Sequence, residues 1–210
     1  MSARRAGLAE PLLQLLAVVP LFVVMQAGWW PGAAFAVIGL AVVWPARVRW
    51  MPAAVRSVFT VYVPFAVAWV VFTALYLRGM HAVGWTVAPQ PLLQQLAEQG
   101  TAMPEFWAAL VSIVVVAPLF EEIVFRGYVF TGLSVVLPRA AVHVVTAAAF
   151  GLVHGLSYAL PIGVLALLFG WLRARHDALL PSILAHAVHN GLTVVVALAW
   201  PAHLELLYPR

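Results

Sequence analysis

The stretch Val114-Val115-Val116-Ala117-Pro118-Leu119-Phe120-Glu121-Glu122-Ile123-Val124-Phe125-Arg126 decides the fold. It reads as membrane-spanning helix, yet it holds two adjacent carboxylates and an arginine. A charged side chain at the centre of a bilayer costs roughly 2.5–3.5 kcal/mol on insertion scales, and intramembrane acids mark functional sites where partners can be named. Glu122 and Arg126 are four residues apart, so they share a helix face and pair. Glu121 is rotated about 100° from Glu122 by the helical period. One carboxylate is thereby neutralised within its own helix, and the other is left to face a cleft.

The rest of the chain has the same character. Its 210 residues are 65% hydrophobic and only 9% charged, against about 25% charged in a soluble domain. The expectation is an integral membrane protein with the lipid bilayer as its main solvent. Cysteine is absent, which excludes disulfides and thiolate metal sites. The formal charge of +4 is carried by arginine without lysine. The arginines sit between apolar runs, where they set topology, so no nucleic-acid partner is expected.

A spanning helix needs about 20 apolar residues. Seven candidate spans emerge, at 11–28, 32–46, 55–77, 105–136, 140–157, 161–174 and 179–200. The fold class is therefore all-α, a polytopic transmembrane bundle of about seven spans, with six to eight open because the second and sixth are short. Arg4 and Arg5 precede the first span, where a retained helix is the better reading than a signal peptide. If the spans alternate, these two fall on the same side as Arg47, Arg49, Arg56, Arg139, Arg173 and Arg175. The positive-inside rule puts that side, and the N-terminus, in the cytoplasm. Residues 91–99 in the long outer connection have the pattern of a surface amphipathic helix. Trp85 and Trp200 fall near span ends, as interface anchors do.

Two further polar groups interrupt apolar helices. Phe150-Gly151-Leu152-Val153-His154 ends the fifth span among small residues that permit close packing. His186-Ala187-Val188-His189-Asn190 lies in the seventh, with His186 and Asn190 on one face and His189 nearby. Taken alone, His154 reads better as a hydrogen-bonded packing histidine than as a catalyst, and the 186–190 set reads equally well as interhelical hydrogen bonding. Depth makes them cohere. Glu121 lies 17 residues before Pro138 and His154 lies 16 after it. At 1.5 Å per residue both stand about 25 Å from the hairpin tip. His186 is only nine residues beyond Asp177, so its alignment requires the first hairpin to reach farther into the cytoplasm.

A carboxylate beside a neutral imidazole holds and deprotonates water, and a second imidazole with an amide donates to a developing oxyanion. That set suits amide hydrolysis without a covalent intermediate. Glu121, His154 and His186 also form a zinc-ligand set of ordinary type, although the H-E-x-x-H motif is absent. Asp177 is the sole aspartate, and Ser112, Ser157 and Ser182 have no dedicated base, so neither an aspartyl dyad nor a serine triad stands out. A non-proteolytic scaffold held together by the polar cluster, and a proton-coupled transporter using it as a relay, are the rival classes.

Glu121-Glu122-Ile123-Val124-Phe125-Arg126 resembles the E-E-x-x-x-R motif of the CPBP family, the CAAX protease and bacteriocin-processing membrane proteins. Phe150 to His154 is similar to its F-x-x-x-H motif, and His186 to Asn190 to its H-x-x-x-N/D motif. Order and spacing agree, and the resemblance covers about residues 104–200. It implies three parts: N-terminal transmembrane helices and an external loop over 1–103, a catalytic membrane core over 104–200, and a short tail over 201–210. It further implies an intramembrane endopeptidase with Glu121 as base and His154 helping to activate water. His186 and Asn190 would stabilise the oxyanion, Glu122 and Arg126 would support the site, and Phe150 would pack beside it. His189 matches no motif position and is a supporting candidate. The family has been described both as zinc-dependent and as metal-free, and the metal-free form, with no cofactor, is the expectation here. The implied partner is a membrane-associated protein or peptide substrate, with prenylated proteins, bacteriocin precursors, an immunity role and C-terminal sorting signals all open. The implied location is the bacterial plasma membrane; oligomeric state stays open.

Overall fold

The computed structural model describes residues 52–208. The first two expected spans, the arginines within 4–49 and the N-terminal orientation lie outside the described residues. Among the described residues there are helices and no strands. Helix α1 (Pro52–Ala82) is followed by a loop and by the short α2 (Pro91–Gln99), which starts on a proline and ends at Gly100, whose φ of 57° suits glycine. Then come α3 (Phe106–Leu133), α4 (Arg139–Val153), α5 (Leu156–His176), α6 (Leu180–Ala199) and the one-turn α7 (His203–Leu207).

Four of these, α1 from Val55 together with α3, α5 and α6, are long and apolar enough to cross a membrane, while α4 is shorter. The outward faces of α1, α3 and α4 carry Val63, Val67, Leu75, Val115, Val144 and Leu152, each at least half exposed. Such a surface fits lipid rather than water. Trp85 and Trp200, beside the ends of α1 and α6, are also about half exposed.

The sixth expected span is corrected. Rather than a short 161–174 segment, α5 is 21 residues long and runs through Pro161. Proline removes the N–H that the carbonyl four residues back would accept, here that of Ser157. Tyr76 of α1 supplies the missing donor, its hydroxyl lying 3.0 Å from Ser157 O. The Pro161 carbonyl accepts in turn from Trp69 Nε1 at 2.8 Å. The helix survives its proline because α1 caps the break from outside. The fifth span ends early, at Val153, because the chain reverses at His154-Gly155, where Gly155 adopts φ 97°.

Close packing joins α4 to α5. A Cβ at Gly151 would overlap the Ala159 carbonyl oxygen and sit 3.0 Å from Gly163 N. One core cluster, around Phe120, Phe125 and Phe150, lies between α3, α4 and α5. A second, with Val58, Tyr62, Leu165 and Phe169, fastens α1 to α5 and α6. Residues 201–208 are more than a loose tail: His203 and Leu204 of α7 are buried.

Candidate active site

Helix α3 is not uniform. Two segments, Ser112–Val116 and Ile123–Val129, are wound as π-helix, and between them lies the α-helical turn Ala117–Glu122. Such wide turns concentrate at functional sites. The first has a chemical consequence. Ala117 N–H reaches back five residues to Ser112 O. The next donor in that register is residue 118, a proline, so the Ile113 carbonyl has no helical partner. Asn190 Nδ2 of α6 donates to it at 2.9 Å. The second wide turn carries Arg126 inward, where it is fully buried.

Arg126 and Glu122 form the floor of the site. Arg126 Nη1 donates to Glu122 Oε1 at 2.9 Å, and Nη2 donates to Ala166 O of α5 at 3.0 Å. The guanidinium carbon lies 4.5 Å from the centre of the Phe150 ring and 5.3 Å from that of Phe169. Two aromatic faces thus shelter the cation. Glu122 is fully buried, and its Oε1 also accepts from His186 Nδ1 at 2.9 Å.

Above the floor, both imidazoles are anchored by the same ring atom. His154 Nδ1 lies 2.7 Å from Phe150 O, a backbone acceptor, and therefore carries the proton. His186 Nδ1 donates to Glu122 in the same sense, and its ring stacks on Phe169 at 4.7 Å between centres. In each ring Nε2 is turned to one atom. Glu121 Oε2 lies 3.9 Å from His154 Nε2 and 3.7 Å from His186 Nε2. These separations are too long for direct hydrogen bonds and suit a bridging water.

Glu121, His154, His186, His189 and Asn190 all line one cavity of about 350 Å³. Its remaining wall comes from residues for which the sequence holds no motif. Trp69 and Thr73 of α1 face it, and Tyr208 lies on its lining beyond α7. Burial pushes the Tyr208 hydroxyl up to about 12, with Tyr158 adding to the rise, so the phenol stays neutral. Thr73 Oγ1 is buried without a hydrogen-bond partner.

The structure brings Glu121, His154 and His186 together and pairs Glu122 with Arg126. His189 is turned toward α1, where its Nδ1 lies 3.1 Å from the Tyr62 hydroxyl and its ring meets the edge of Trp69. Asn190 reaches the cavity wall but commits one amide hydrogen to Ile113. Three contacts escaped sequence reasoning: the Glu122–His186 bond, the Ala166 carbonyl and the Phe169 stack. Position 169 is one apolar residue in an apolar run and carries no local signal; Pro118, five residues after Ile113, is the one sequence mark of the orphaned carbonyl.

Residues 103–192 match a family model described as type II CAAX prenyl endopeptidase Rce1-like. No curated protein and no solved structure matches the chain.

Proposed function

We propose that this chain is a CPBP-family intramembrane endopeptidase acting through a water activated by Glu121, a reading supported by the match of residues 103–192 to the Rce1-like family model. One observation carries the reading: two imidazoles, each tethered by Nδ1, turn Nε2 toward the same Glu121 oxygen at 3.7 and 3.9 Å. A water between them donates one hydrogen to Glu121 Oε2 and the other to His154 Nε2. Glu121 takes the proton as the water oxygen attacks the scissile carbonyl carbon. The C–O bond forms, and the carbonyl becomes an oxyanion. In this reading the second amide hydrogen of Asn190 stabilises it. His186, fixed through Nδ1 on the Glu122 carboxylate, is the second group in this reading that stabilises the oxyanion. As the tetrahedral intermediate collapses, the C–N bond breaks and Glu121 returns its proton to the departing amine.

The metal-free form is supported by spacing. Zinc about 2.05 Å from each of its ligands in a tetrahedron would set donors about 3.3–3.4 Å apart, closer than the two separations at Glu121. Stoichiometric zinc in purified, active protein would overturn this form.

The substrate is a membrane-associated protein or peptide whose cleavable segment enters the cavity between α1 and α6. Comparing the termini of membrane proteins from wild-type and Glu121→Ala strains tests proteolysis and identifies the substrate together. Termini present only in the wild type are expected. Identical termini would overturn the assignment.

A further inference from the structure

A larger cavity, of about 740 Å³, lies beside the peptidase cavity. Among the described residues the two linings have Tyr208 in common and no other member. The rest of the boundary is divided along the chain. Ala88 and Pro89 line the larger cavity, Gln90, Leu92 and Leu93 line the peptidase cavity, and Gln94 lines the larger one again. The loop before α2 and the start of α2 therefore form one side of a partition, and Tyr208 closes the other.

Both sides of the partition are held. The Tyr158 hydroxyl, on the peptidase side, donates to the Ala88 carbonyl on the other. Tyr208 N–H donates to Leu204 O at 2.8 Å, and α7 is anchored by its buried His203 and Leu204. Burial first and then Tyr158 raise the Tyr208 phenol, so the two hydroxyls are neighbours where the cavities meet. The peptidase cavity itself is small: at about 350 Å³ it stands near the lower end of ligand pockets, roughly 300–1,000 Å³. It holds the few residues around a scissile bond, and a longer chain needs the space beyond Tyr208.

We propose that Tyr208 is a specificity-determining stop, which limits how many residues a substrate carries past the scissile bond on the side of α2 and α7. This role rests on the peptidase reading of the same cavity and adds a length limit to it. Removing the ring joins the two cavities and lifts the limit.

The test maps the termini of membrane proteins from strains carrying the full-length protein or its variants at equal amounts in the membrane. Tyr208→Phe, which keeps the ring, should give the wild-type set. Tyr208→Ala should add new termini, set farther inside the encoded chains than any the wild type makes. Tyr208→Leu, which shortens the side chain but keeps it apolar, should add them too, and it serves if the alanine variant fails to accumulate. Ala97→Trp, which fills the larger cavity from α2, should leave the wild-type set unchanged and erase the new termini when combined with Tyr208→Ala or Tyr208→Leu. Identical termini in wild type and Glu121→Ala would overturn the peptidase reading, and the stop with it. Wild-type termini lost in Glu121→Ala but unaltered in Tyr208→Ala and Tyr208→Leu would overturn the stop alone. So would new termini that persist when Glu121→Ala or Ala97→Trp is added, or loss of all cleavage in Tyr208→Leu.

Discussion

His186 Nδ1 and Glu122 Oε1 lie 2.9 Å apart, and this one bond ties α6 to α3 directly beneath the carboxylate of Glu121. Glu122 accepts from Arg126 through the same oxygen. The residue therefore holds an arginine, a histidine and two helices at once.

Replacing Glu122 should accordingly damage the fold before it damages chemistry. Glu122→Gln leaves the fully buried Arg126 without a counter-charge. Breaking a buried pair from one side destabilises by about 3–5 kcal/mol. Thermal unfolding in detergent should show a large drop in midpoint; an unchanged midpoint would mean the pair is dispensable.

Glu121 should behave in the opposite way. Its nearest imidazole nitrogens stand off at 3.7 and 3.9 Å, so no tight bond is lost in Glu121→Gln. Peptide cleavage should fall by about 10²–10⁴-fold, the range of a general base, with the thermal midpoint near that of the wild type. Retained cleavage would remove Glu121 from the mechanism.

The bond from Asn190 to the Ile113 carbonyl makes a coupled prediction. Asn190→Ala should destabilise by about 1–3 kcal/mol, because a part-buried acceptor is left unmet. Pro118→Ala restores the N–H that the wide turn lacks. In that background the Asn190→Ala loss should shrink, and a double-mutant cycle on unfolding midpoints measures the difference. Additive losses would show that Pro118 is not what orphans the carbonyl.

Gly151→Ala should loosen the junction of α4 and α5, since the new methyl overlaps the Ala159 carbonyl. Overpacking of this kind costs about 1–3 kcal/mol. Phe150 and His154 flank the same turn of helix, so cleavage should fall with stability. A variant as stable and active as the wild type would show that the two helices separate freely.

Thr73 offers a test of substrate contact. The residue lines the cavity, and its hydroxyl is buried and unpartnered. Thr73→Val keeps the shape and removes the polar atom. If the substrate backbone bonds there, KM should rise about five- to tenfold, the scale of one net hydrogen bond, with stability held or slightly raised. An unchanged KM would place the substrate elsewhere.

The sequence was legible where charge broke an apolar run. Glu121, Glu122, Arg126, His154 and His186 each stand out against hydrophobic neighbours, and equal distance from Pro138 was enough to put Glu121 level with His154. The surface helix at 91–99 was legible from its alternating glutamines and leucines. What stayed hidden is what apolar residues do in lipid. Phe169 and Phe150 flank a cation, but a phenylalanine in a membrane helix looks the same whether it meets lipid or a guanidinium. The full length of α5 was hidden for a related reason: Pro161 reads as a break until Tyr76, from a helix far away in sequence, is seen to close it.

The two wide turns of α3 also fix how the gene can change. Each turn holds one residue more than an ordinary turn would, and the Glu121-Glu122 pair sits between them. Removing a single codon within 112–116 would take up that extra residue and rewind the turn as ordinary α-helix, whereas removing one from the α-helical stretch 117–122 would carry everything before it about 100° around the axis. Either the acids or the preceding outer half of the helix would then face the wrong neighbours. Substitutions along α3 can be absorbed one at a time, but the residue count of the α-helical stretch between its wide turns is a phase setting, and a frame-preserving deletion in that stretch is equivalent to losing the site.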